Sequence, residues 1–476
     1  MNTPIVRLFL LVVILFAGLV AWTSRWTVFE AEELRDNALN RRALLEEQRV
    51  KRGPIRARDG TLIAGSRRGR GAGTYVRRYP EGELFSHPVG YSFLSVGRSA
   101  LEQAYNDELT GERDDVTSVL DQLAGKEPEG NELITSLDAD AQRLAYDALG
   151  SQRGAVVALE PATGRIRVMA STPRFDPNRL AGATDTSALG NGAAVNRATQ
   201  GQYPPGSTFK VVTAVAAIDS GRYTKDTTVD GESPKTVSGA PLNNFGNQDY
   251  GMIPLTFALT KSVNTVWAEV GEKLGGETMQ RYMERFGFYE RIEVDLPAGQ
   301  RSSSGVLPAG RRRFAPMTSR AVDVGRVAIG QGNLLTTPLQ MAMVASAVAN
   351  GGRLMKPTLV ERTIDSDGRT VDANDPEEMA EVMRPETAQQ VGDMMADVVR
   401  EGTGTAAALA GASVAGKTGT AEIVRETRVN QPWFIGFAPR ENPKVAVAVT
   451  IERAVAGSGG TLAAPIARRV MEQLLR

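Results

Sequence analysis

The sequence predicts an α+β fold, in which an antiparallel sheet packed with helices follows an elongated, β-rich N-terminal pedestal and one transmembrane helix. The first 25 residues contain a long uncharged apolar run, and the next stretch is charged and rich in turns. The remainder mixes helical and strand periodicity without regular β-α-β alternation. We therefore expect a tip and anchor over 1–25, a pedestal over 26–150 and a main domain over 151–476.

Composition excludes several classes of function. The 476 residues carry 55 basic and 55 acidic side chains, so no excess of positive charge favours nucleic acid, which we do not expect as a partner. The absence of cysteine excludes disulfides, thiolate nucleophiles and cysteine-ligated metals. With His87 as the single histidine, Lys, Asp, Glu or Tyr would have to transfer protons in an enzyme. We expect no metal and no organic cofactor.

The N-terminal apolar run is long enough for a membrane anchor. Residues 8–24 are 17 uncharged, mostly aliphatic residues between Arg7 and Arg25. As a helix they span roughly 26 Å, against a hydrocarbon core of roughly 30 Å. Trp22 and Trp26 suit the aromatic belt at one membrane surface. A cleavable signal peptide is the alternative, but no small-x-small cleavage pattern follows the apolar core.

Between the anchor and the main domain, the sequence indicates a stalk and a small β-rich region. Residues 29–50 have the charged, amphipathic pattern of a helix, and residues 52–66 alternate strand-like and turn-like segments. His87 lies in a loop-like run and is expected to be structural. A group of arginines is interpreted as part of a solvated loop, with binding to an anionic lipid headgroup or polymer as the alternative. This arginine cluster consists of Arg67, Arg68, Arg70, Arg77 and Arg78.

The main domain begins where the character of the sequence changes, near residue 151. Residues 154–171 form two β-rich runs around a Pro-Ala-Thr-Gly turn and are expected to be a hairpin. A helix capped by Thr337 is predicted to run to residue 349, a strand to cover 445–451 and a closing helix to cover 465–475. This mixture favours an antiparallel sheet packed with helices.

A serine and a lysine one helical turn apart are the first candidate catalytic pair. The Pro-Pro-Gly run at 204–206 excludes a helix upstream and the apolar run beyond favours one, so Ser207 is expected at a helix N-terminus. Lys210 projects from the same face, about 5–6 Å away at Cβ. A lysine whose pKa is lowered by burial and by a second cation can act as the base that a nucleophilic serine needs. Alone the pattern is weak, because a capping serine and a surface lysine have the same spacing.

A second triplet, Ser262-Val263-Asn264, is the only S-x-N pattern in the chain. The Ser262 hydroxyl can relay a proton to a leaving amine. The Asn264 amide can hold both a substrate carbonyl and a lysine. By itself the triplet would be interpreted as a helix cap.

A third triplet, Lys417-Thr418-Gly419, is the only K-T-G pattern. Its surroundings predict a strand in which glycines allow another backbone to approach closely. Together with Thr420, the triplet presents a cation and hydroxyls to an anionic substrate end. An edge strand of this kind can also pair with a peptide.

In this order, S-x-x-K, S-x-N and K-T-G form the signature of penicillin-binding proteins and serine β-lactamases. The chain resembles class B penicillin-binding proteins over nearly its whole length after the anchor, and its short stalk is similar to that of the actinobacterial penicillin-binding protein A group. The resemblance implies the penicillin-binding/serine β-lactamase-like transpeptidase fold for 151–476 and a non-catalytic, dimerisation-like pedestal. The matching segments are RGPIRARDGTLIA, ALEPATGRIRVMASTPRFDPN, YPPGSTFK, IGQGNLLTTPLQMAMVASAVANGG, AGKTGTAE and PWFIGFAP.

The resemblance implies a serine-type D-Ala-D-Ala transpeptidase that cross-links peptidoglycan and is acylated by β-lactam antibiotics. Ser207 would attack the D-Ala-D-Ala carbonyl of a stem peptide and release terminal D-alanine. The amine of a neighbouring stem would then convert the acyl-enzyme into a cross-link. Lys210 would accept the serine proton, and Ser262 with Lys417 would deliver it to the leaving amine.

The resemblance also implies a set of substrate-binding groups. Asn264 would orient the substrate. The backbone N–H groups of Ser207 and Thr420 would form an oxyanion hole. The triplet residues Thr418 and Gly419, with Thr420, would bind the substrate, and the two threonine hydroxyls would receive its terminal carboxylate.

Other functions remain as alternatives. A β-lactamase or β-lactam sensor would need rapid deacylation or a signalling module, but the chain has no E-x-x-L-N pattern and little sequence before the anchor. A non-catalytic cell-wall scaffold on a decayed fold would not be expected to keep all three motifs. A D,D-carboxypeptidase differs only in using water as acceptor. Residues 25–150 show none of the acidic motifs of a glycosyltransferase.

The implied substrate determines the expected topology. Peptidoglycan is cross-linked outside the cytoplasmic membrane, so we expect a single-pass protein with a short cytoplasmic N-terminus and an extracytoplasmic catalytic domain. Basic residues are more frequent after the anchor than before it, but the positive-inside rule fails for long translocated domains. A role in cell division or growth, and contacts with division or elongation proteins including a glycosyltransferase, are expected from the family.

Overall fold

The computed structural model describes residues 3–25, 49–69, 73–111, 129–190, 192–424 and 429–476. Nearly all of the helix predicted over 29–50, and Arg70 of the arginine cluster, lie outside the described residues. The helices are, in chain order, α1 Thr3–Ser24, α2 Ser86–Val89, α3 Ala100–Ala104, α4 Asn106–Thr110, α5 Ala139–Leu149, α6 Lys210–Asp219, α7 Leu255–Thr260, α8 Asn264–Arg285, α9 Val324–Ala328, α10 Pro338–Ala349, α11 Pro385–Glu401 and α12 Ala464–Leu474.

The strands of the described residues fall into two larger sheets and several two-stranded ribbons. They are, in chain order, β1 Ile55–Arg56, β2 Leu62–Arg68, β3 Tyr75–Arg78, β4 Ser92–Phe93, β5 Gly97–Arg98, β6 Glu132–Thr135, β7 Gly154–Leu159, β8 Ile166–Thr172, β9 Thr228–Asp230, β10 Lys235–Val237, β11 Ala240–Leu242, β12 Met252–Pro254, β13 Gly305–Val306, β14 Leu334–Leu335, β15 Arg353–Met355, β16 Val360–Ile364, β17 Thr370–Ala373, β18 Glu378–Glu381, β19 Ala415–Val424, β20 Val429–Ala438, β21 Val445–Ile451 and β22 Ala454–Val455.

The sheet of the main domain is antiparallel and has the order β19-β20-β21-β7-β8, with β22 beside β20. Every residue of β7 and of β21 is buried. Because successive side chains of a strand point to opposite faces, both faces of these strands must be covered. Helix α10 packs against β20 and β21, while α12 packs against β21 and α5. The predicted α+β fold is thus confirmed, and β19 forms one edge of its central sheet.

Individual elements of this domain also match the sequence prediction. The hairpin predicted over 154–171 is β7 and β8. The Thr337 hydroxyl accepts from Gln340 N at 3.2 Å and caps α10 as expected. The strand over 445–451 is β21, and the closing helix is α12.

The pedestal sheet has the order β17-β16-β6-β1-β2-β3. Its β16 and β17 come from residues 360–373, more than two hundred positions after β6, and β16 pairs antiparallel with β6. The sheet therefore joins strands from both sides of residue 150. Such short strands carry too little periodicity for their partner to be read from sequence.

Charged side chains are buried inside the pedestal. Arg67, Arg68 and Arg78 are exposed as expected, but they lie on the paired strands β2 and β3, so the loop predicted for them is wrong. Arg77, in contrast, is 6% exposed and donates from Nε to Glu102 Oε1 at 2.6 Å. Its place in the arginine cluster was therefore misinterpreted, because sequence spacing does not reveal a buried partner 25 residues away.

The single histidine is buried, with Nε2 2.9 Å from Ala193 O. Burial lowers the pKa of His87 to about 4, so the ring is neutral near pH 7. This environment agrees with the expected structural role.

At the N-terminus, α1 is the one helix among the described residues that is long and apolar enough to cross a membrane. It contains the anchor expected over 8–24, and none of its residues is buried against the rest of the chain. The Arg25 guanidinium lies over the Trp22 ring at 5.9 Å, next to the expected interface.

Candidate active site

The candidate nucleophile lies at the entrance to a buried helix. Residues Gly206–Phe209 form one turn of 3-10 helix that leads directly into α6. Ser207 is half-buried, whereas Lys210, the first residue of α6, is fully buried. The Pro-Pro-Gly run thus places a half-buried hydroxyl one turn before a fully buried amine.

The Lys210 amine is held by the S-x-N triplet. Its Nζ donates to Asn264 Oδ1 at 2.7 Å and to Ser262 O at 2.8 Å, and lies 3.2 Å from Ser262 Oγ. The other atom of the amide, Asn264 Nδ2, donates to Asn243 O at 3.2 Å. Because Nδ2 has its own acceptor, the amide oxygen must face the lysine.

Lys417, the first residue of the K-T-G triplet, also contacts the Ser262 hydroxyl. Its Nζ lies 3.0 Å from Ser262 Oγ and 3.0 Å from Thr418 O. Ser262 is held at φ +59°, in the left-handed region that non-glycine residues rarely adopt. This strained backbone aims one hydroxyl between two buried lysines.

The electrostatics of the two lysines favour neutral amines. Burial, and then the charge of Lys417, hold the pKa of Lys210 well below its usual range. Burial lowers the pKa of Lys417 to about 7. Neither lysine forms an ion pair within the described part of the chain, so no carboxylate restores the charged state.

A neutral Lys210 has two N–H donors and one lone pair. Ser262 O and Asn264 Oδ1 accept two hydrogen bonds from Lys210 and have no proton to donate. The lone pair is therefore left for a hydroxyl. No hydrogen bond joins Ser207 Oγ to Lys210 Nζ among the described residues, and in free enzymes such catalytic contacts are often long until substrate binds.

The K-T-G triplet lies on the edge strand β19 and touches the nucleophile turn. A Cβ added at Gly419 would lie 2.7 Å from Pro205 O and 3.0 Å from Thr208 Cγ2, so only glycine allows this approach. The Thr418 hydroxyl is 2.5 Å from that of Thr403. The Thr420 hydroxyl accepts from Gly459 N at 3.1 Å. The structure thus brings Ser207, Lys210, Ser262, Asn264, Lys417, Thr418, Gly419 and Thr420 to one site.

Two hydrogen bonds that hold the backbone of the nucleophile turn were missed from sequence. Gly206 N donates to Gly330 O at 3.0 Å. Trp433 Nε1 donates to Pro204 O at 3.0 Å. Both partners lie in segments that were noted only for their family resemblance, IGQGNLL and PWFIGFAP. Neither contact has a local signal, since each joins positions more than a hundred residues apart.

A partly buried carboxylate, Glu452, is linked to the segment before the nucleophile turn. Tyr203 OH donates to Glu452 Oε1 at 2.5 Å, and Arg197 Nε donates to the same oxygen at 3.0 Å. Arg153 Nε donates to Glu452 Oε2 at 3.0 Å. This network joins the segment before Ser207 to the end of β21. Sequence analysis did not identify Glu452, because a lone glutamate after a strand resembles a solvated side chain.

Comparison with known proteins gives matches over the whole chain. The family described as "Penicillin binding protein transpeptidase domain" matches residues 154–472, and "Penicillin binding protein A dimerisation domain" matches residues 52–133. The chain is 35% identical to "Peptidoglycan D,D-transpeptidase PbpA" of Mycolicibacterium smegmatis, covering 100% of this chain and 99% of that protein. It is 33% identical to the protein of the same name from Mycobacterium tuberculosis H37Rv, with the same coverage.

Solved structures give the same result. The ceftriaxone acyl-enzyme complex of penicillin-binding protein A from M. tuberculosis superposes with a TM-score of 0.82 at 32% identity, covering 91% of this chain and 100% of that one. The D,D-transpeptidase domain of a peptidoglycan glycosyltransferase from Eggerthella lenta gives a TM-score of 0.76 at 32% identity, covering 90% and 98%.

Proposed function

The chain belongs to the penicillin-binding protein transpeptidase family, and from this premise we propose that it cross-links peptidoglycan with Ser207 as nucleophile. The family and the enzyme class predicted from the sequence, a serine-type D-Ala-D-Ala transpeptidase, are confirmed. The observation that carries the residue assignment is the pair of buried lysines around Ser262 Oγ, beside the Ser207 turn.

In the acylation step, Ser207 Oγ attacks the carbonyl carbon of the penultimate D-alanine of a stem peptide. Neutral Lys210 takes the hydroxyl proton on its free lone pair, so the serine attacks as an alkoxide. The lowered pKa of Lys210 supports this role, because a lysine that is already protonated cannot accept a proton. The tetrahedral intermediate then carries one negative charge on the former carbonyl oxygen.

Collapse of this intermediate breaks the C–N bond to the terminal D-alanine. The leaving nitrogen needs one proton, which Ser262 donates and then regains from a protonated lysine. Distances of 3.2 Å from Ser262 Oγ to Lys210 and 3.0 Å to Lys417 support a relay that starts from either amine. With a pKa of about 7, Lys417 is present in both protonation states at neutral pH.

The acyl-enzyme is resolved when the amine of a second stem peptide attacks the ester. This step forms the cross-link amide and breaks the ester bond to Ser207 Oγ, and the proton lost by the amine passes through the lysine pair to that oxygen, which restores the free serine. A β-lactam follows the same first step, but its leaving nitrogen stays tethered to the acyl group and blocks the second amine. Acyl-enzyme complexes of penicillin-binding protein A from M. tuberculosis with ceftriaxone and imipenem support this proposal.

Substrate binding is assigned to β19, the edge strand of the central sheet. An extended stem peptide can add to this edge beside Thr418, Gly419 and Thr420. Thr420 on β19 lies opposite Pro432 on β20. Because proline has no N–H, these two residues cannot form both of the backbone hydrogen bonds of an antiparallel pair. With the N–H of Ser207, a Thr420 N–H turned away from β20 forms the oxyanion hole. The two threonine hydroxyls receive the terminal carboxylate.

We assign the tip and anchor to 1–25, the pedestal to 26–150 and the transpeptidase domain to 151–476, with β16 and β17 returning to the pedestal sheet. The N-terminus lies in the cytoplasm and the catalytic domain outside the membrane. Since the chain has no cysteine, Asn2→Cys and Ser151→Cys each introduce a unique thiol. A membrane-impermeant maleimide applied to intact cells should label only Ser151→Cys. Labelling of Asn2→Cys alone contradicts this topology.

The family also suggests contacts with division or elongation proteins, including a glycosyltransferase. The exposed part of the pedestal is the surface available for them. Crosslinking from Arg67 or Arg78 replaced by a photoreactive amino acid should capture wall-synthesis proteins in growing cells. Capture of none of them contradicts these contacts.

The activity itself is tested with a purified chain, a lipid-linked glycan substrate and a partner glycosyltransferase. The expected result is D-alanine release together with cross-linked dimer stems, both lost in Ser207→Ala. Release of D-alanine without dimers would indicate a carboxypeptidase. Rapid turnover of penicillin would indicate a β-lactamase, and normal growth of cells with only Ser207→Ala would indicate a scaffold.

A further inference from the structure

A hydroxyl outside the three motifs touches the K-T-G triplet. Thr403 lies two residues after the end of α11, is exposed, and has its Oγ1 2.5 Å from Oγ1 of Thr418. Thr418 is only 6% exposed and is one of the two threonines that we propose receive the terminal carboxylate of the substrate. Within the part of the chain that the structure describes, neither of these hydroxyls has a second hydrogen-bond partner.

The turn that carries Thr403 is linked to the S-x-N triplet as well. Gly404 N donates to Val398 O at 3.0 Å, which folds the turn back onto the last part of α11. Lys261, which directly precedes the S-x-N triplet, donates from Nζ to Glu401 O at 2.9 Å. The backbone around Thr403 is therefore held in place beside the active site by contacts that do not involve its own hydroxyl.

The second threonine shows how a hydroxyl in this site becomes a donor. Thr420 Oγ1 accepts a hydrogen bond from Gly459 N at 3.1 Å. A backbone N–H can only donate, so the hydrogen of the Thr420 hydroxyl stays available for the substrate. A hydroxyl that already accepts a hydrogen bond is also a stronger donor. For Thr418, the neighbouring group is the hydroxyl of Thr403 instead of an N–H.

The direction of the bond between the two hydroxyls follows from the ligand. Two hydroxyls that share one hydrogen bond use one of their two hydrogens, and before substrate binds either oxygen can be the donor. A carboxylate has no hydrogen to donate, so Thr418 must donate to it. Thr403 must then donate to Thr418, as Gly459 N does to Thr420.

We infer that Thr403 is a positioning residue, which orients the Thr418 hydroxyl toward the terminal carboxylate and so favours substrates that end in a carboxylate. This inference rests on the proposed function, because it takes Thr418 and Thr420 as the hydroxyls that bind the carboxylate. It adds a residue from outside the three motifs to the groups that determine substrate specificity.

A pair of thioester substrates tests this role. An acylated D-alanyl thioglycolate has a carboxylate in its leaving group, as the terminal D-alanine does, and its methyl ester has none. In both, Ser207 Oγ forms an ester, its proton passes to Lys210, and the C–S bond breaks to release a thiolate. A disulfide reagent detects this thiolate without background, because the chain has no cysteine. The wild type should have a kcat/KM for the acid about tenfold or more above that for the methyl ester.

Three variants make the test specific to the Thr403 hydroxyl. Thr403→Val keeps the shape but removes the hydroxyl, and should lower kcat/KM for the acid about five- to tenfold while changing that for the methyl ester less than about twofold. Thr403→Ser keeps the hydroxyl and should keep the wild-type ratio of the two rates. Thr405→Val is the matched control, because Thr405 is also exposed and its hydroxyl makes no hydrogen bond among the described residues. It should behave as the wild type.

The outcomes separate this inference from the proposed function. An unchanged ratio in Thr403→Val, or an equal fall of both of its rates, would overturn the role of Thr403 and leave Ser207 as the nucleophile. A ratio lost in Thr403→Ser as well would show that the hydroxyl is not the cause, which also overturns it. Equal rates for the acid and the ester in the wild type would instead contradict the carboxylate site of the proposed function, and this inference with it.

Discussion

Lys210 Nζ donates to Asn264 Oδ1 over 2.7 Å, so the candidate base is held by a neutral amide. A carboxylate in this position would favour the protonated form of the amine. The neutral amide fixes the amine in place without this effect. Together with burial and the neighbouring Lys417, this contact explains how a lysine can accept a proton near neutral pH. A charge introduced at position 264 should therefore change the pKa of Lys210 directly.

Replacement of this amide by a carboxylate should disable the base. In Asn264→Asp, the negative charge raises the pKa of Lys210, so less of the neutral amine is present at pH 7. We expect acylation by penicillin to slow roughly 10–100-fold at pH 7 and the acid limb of its pH profile to move upward by about one unit or more. The measurement is the second-order acylation rate from pH 6 to 10.

Asn264→Ala is the matched control, because it removes the contact without adding charge. It should lower the acylation rate without an upward shift of the acid limb. The account is contradicted if the acylation rate of Asn264→Asp, scaled to the wild-type maximum, has the same pH dependence as the wild type. The pKa of Lys210 would then not control the acid limb.

Lys417 should make stability depend on pH. Its pKa is about 7 in the folded chain and about 10.4 when unfolded. Between these values the unfolded state binds more protons, so the free energy of unfolding rises with pH, by at most about 1.4 kcal/mol per unit. From pH 7.5 to 9.5 the wild type should gain roughly 1–3 kcal/mol relative to Lys417→Met.

Urea unfolding followed by tryptophan fluorescence measures this difference, since Trp267 and Trp433 are both buried in the main domain. The same stability difference between the two proteins at pH 7.5 and 9.5 would show that Lys417 is protonated in the folded chain. That result contradicts its assignment as a lysine that exists in both states near pH 7.

The backbone of the nucleophile turn should tolerate no side chain at Gly330. Gly330 has φ +79°, and a Cβ there would lie 1.9 Å from Gly206 O. Gly221 has a similar φ of +74° but open space around it. Gly221→Ala should therefore destabilise the chain by about 1–3 kcal/mol and keep penicillin labelling. Gly330→Ala should reduce labelling at least tenfold, and equal labelling of the two variants contradicts this account.

Glu452 should act as a positioning residue through Tyr203. Glu452→Gln removes the charge that two arginines and the tyrosine share, which loosens the segment before Ser207. We expect acylation to slow about tenfold or more, because small displacements of a nucleophile reduce the rate strongly. Tyr203→Phe removes a single hydrogen bond and should have a smaller effect.

The pH profile separates this role from proton transfer. Both variants should keep the acid limb of the wild type, because neither residue touches Lys210. A shift of the acid limb in Glu452→Gln contradicts a purely positioning role.

The part of the site that was predictable from sequence is the part with local spacing or family motifs. Ser207 and Lys210 share one helical turn, and the triplet at 417–419 lies on a strand as predicted. The triplet at 262–264 was found by its motif, since it makes no side-chain capping hydrogen bond at the start of α8. Contacts between distant single residues, such as Trp433 with Pro204 or Tyr203 with Glu452, have no periodicity. They follow from tertiary packing, which one sequence does not specify.

The fold shows the same division. The hairpin of β7 and β8, the strand β21 and the cap of α10 follow from turn residues, apolar runs and a threonine. The return of β16 and β17 to the pedestal sheet and the burial of Arg77 depend on partners far away in sequence.

Mass spectrometry of the penicillin-treated chain tests the central assignment most directly. We predict one covalent adduct per chain, located on the peptide that contains Ser207 and stable for many times the period of acylation. The adduct should be absent from Ser207→Ala, which should remain folded. An adduct on another residue, or an undiminished adduct in Ser207→Ala, would contradict Ser207 as the nucleophile.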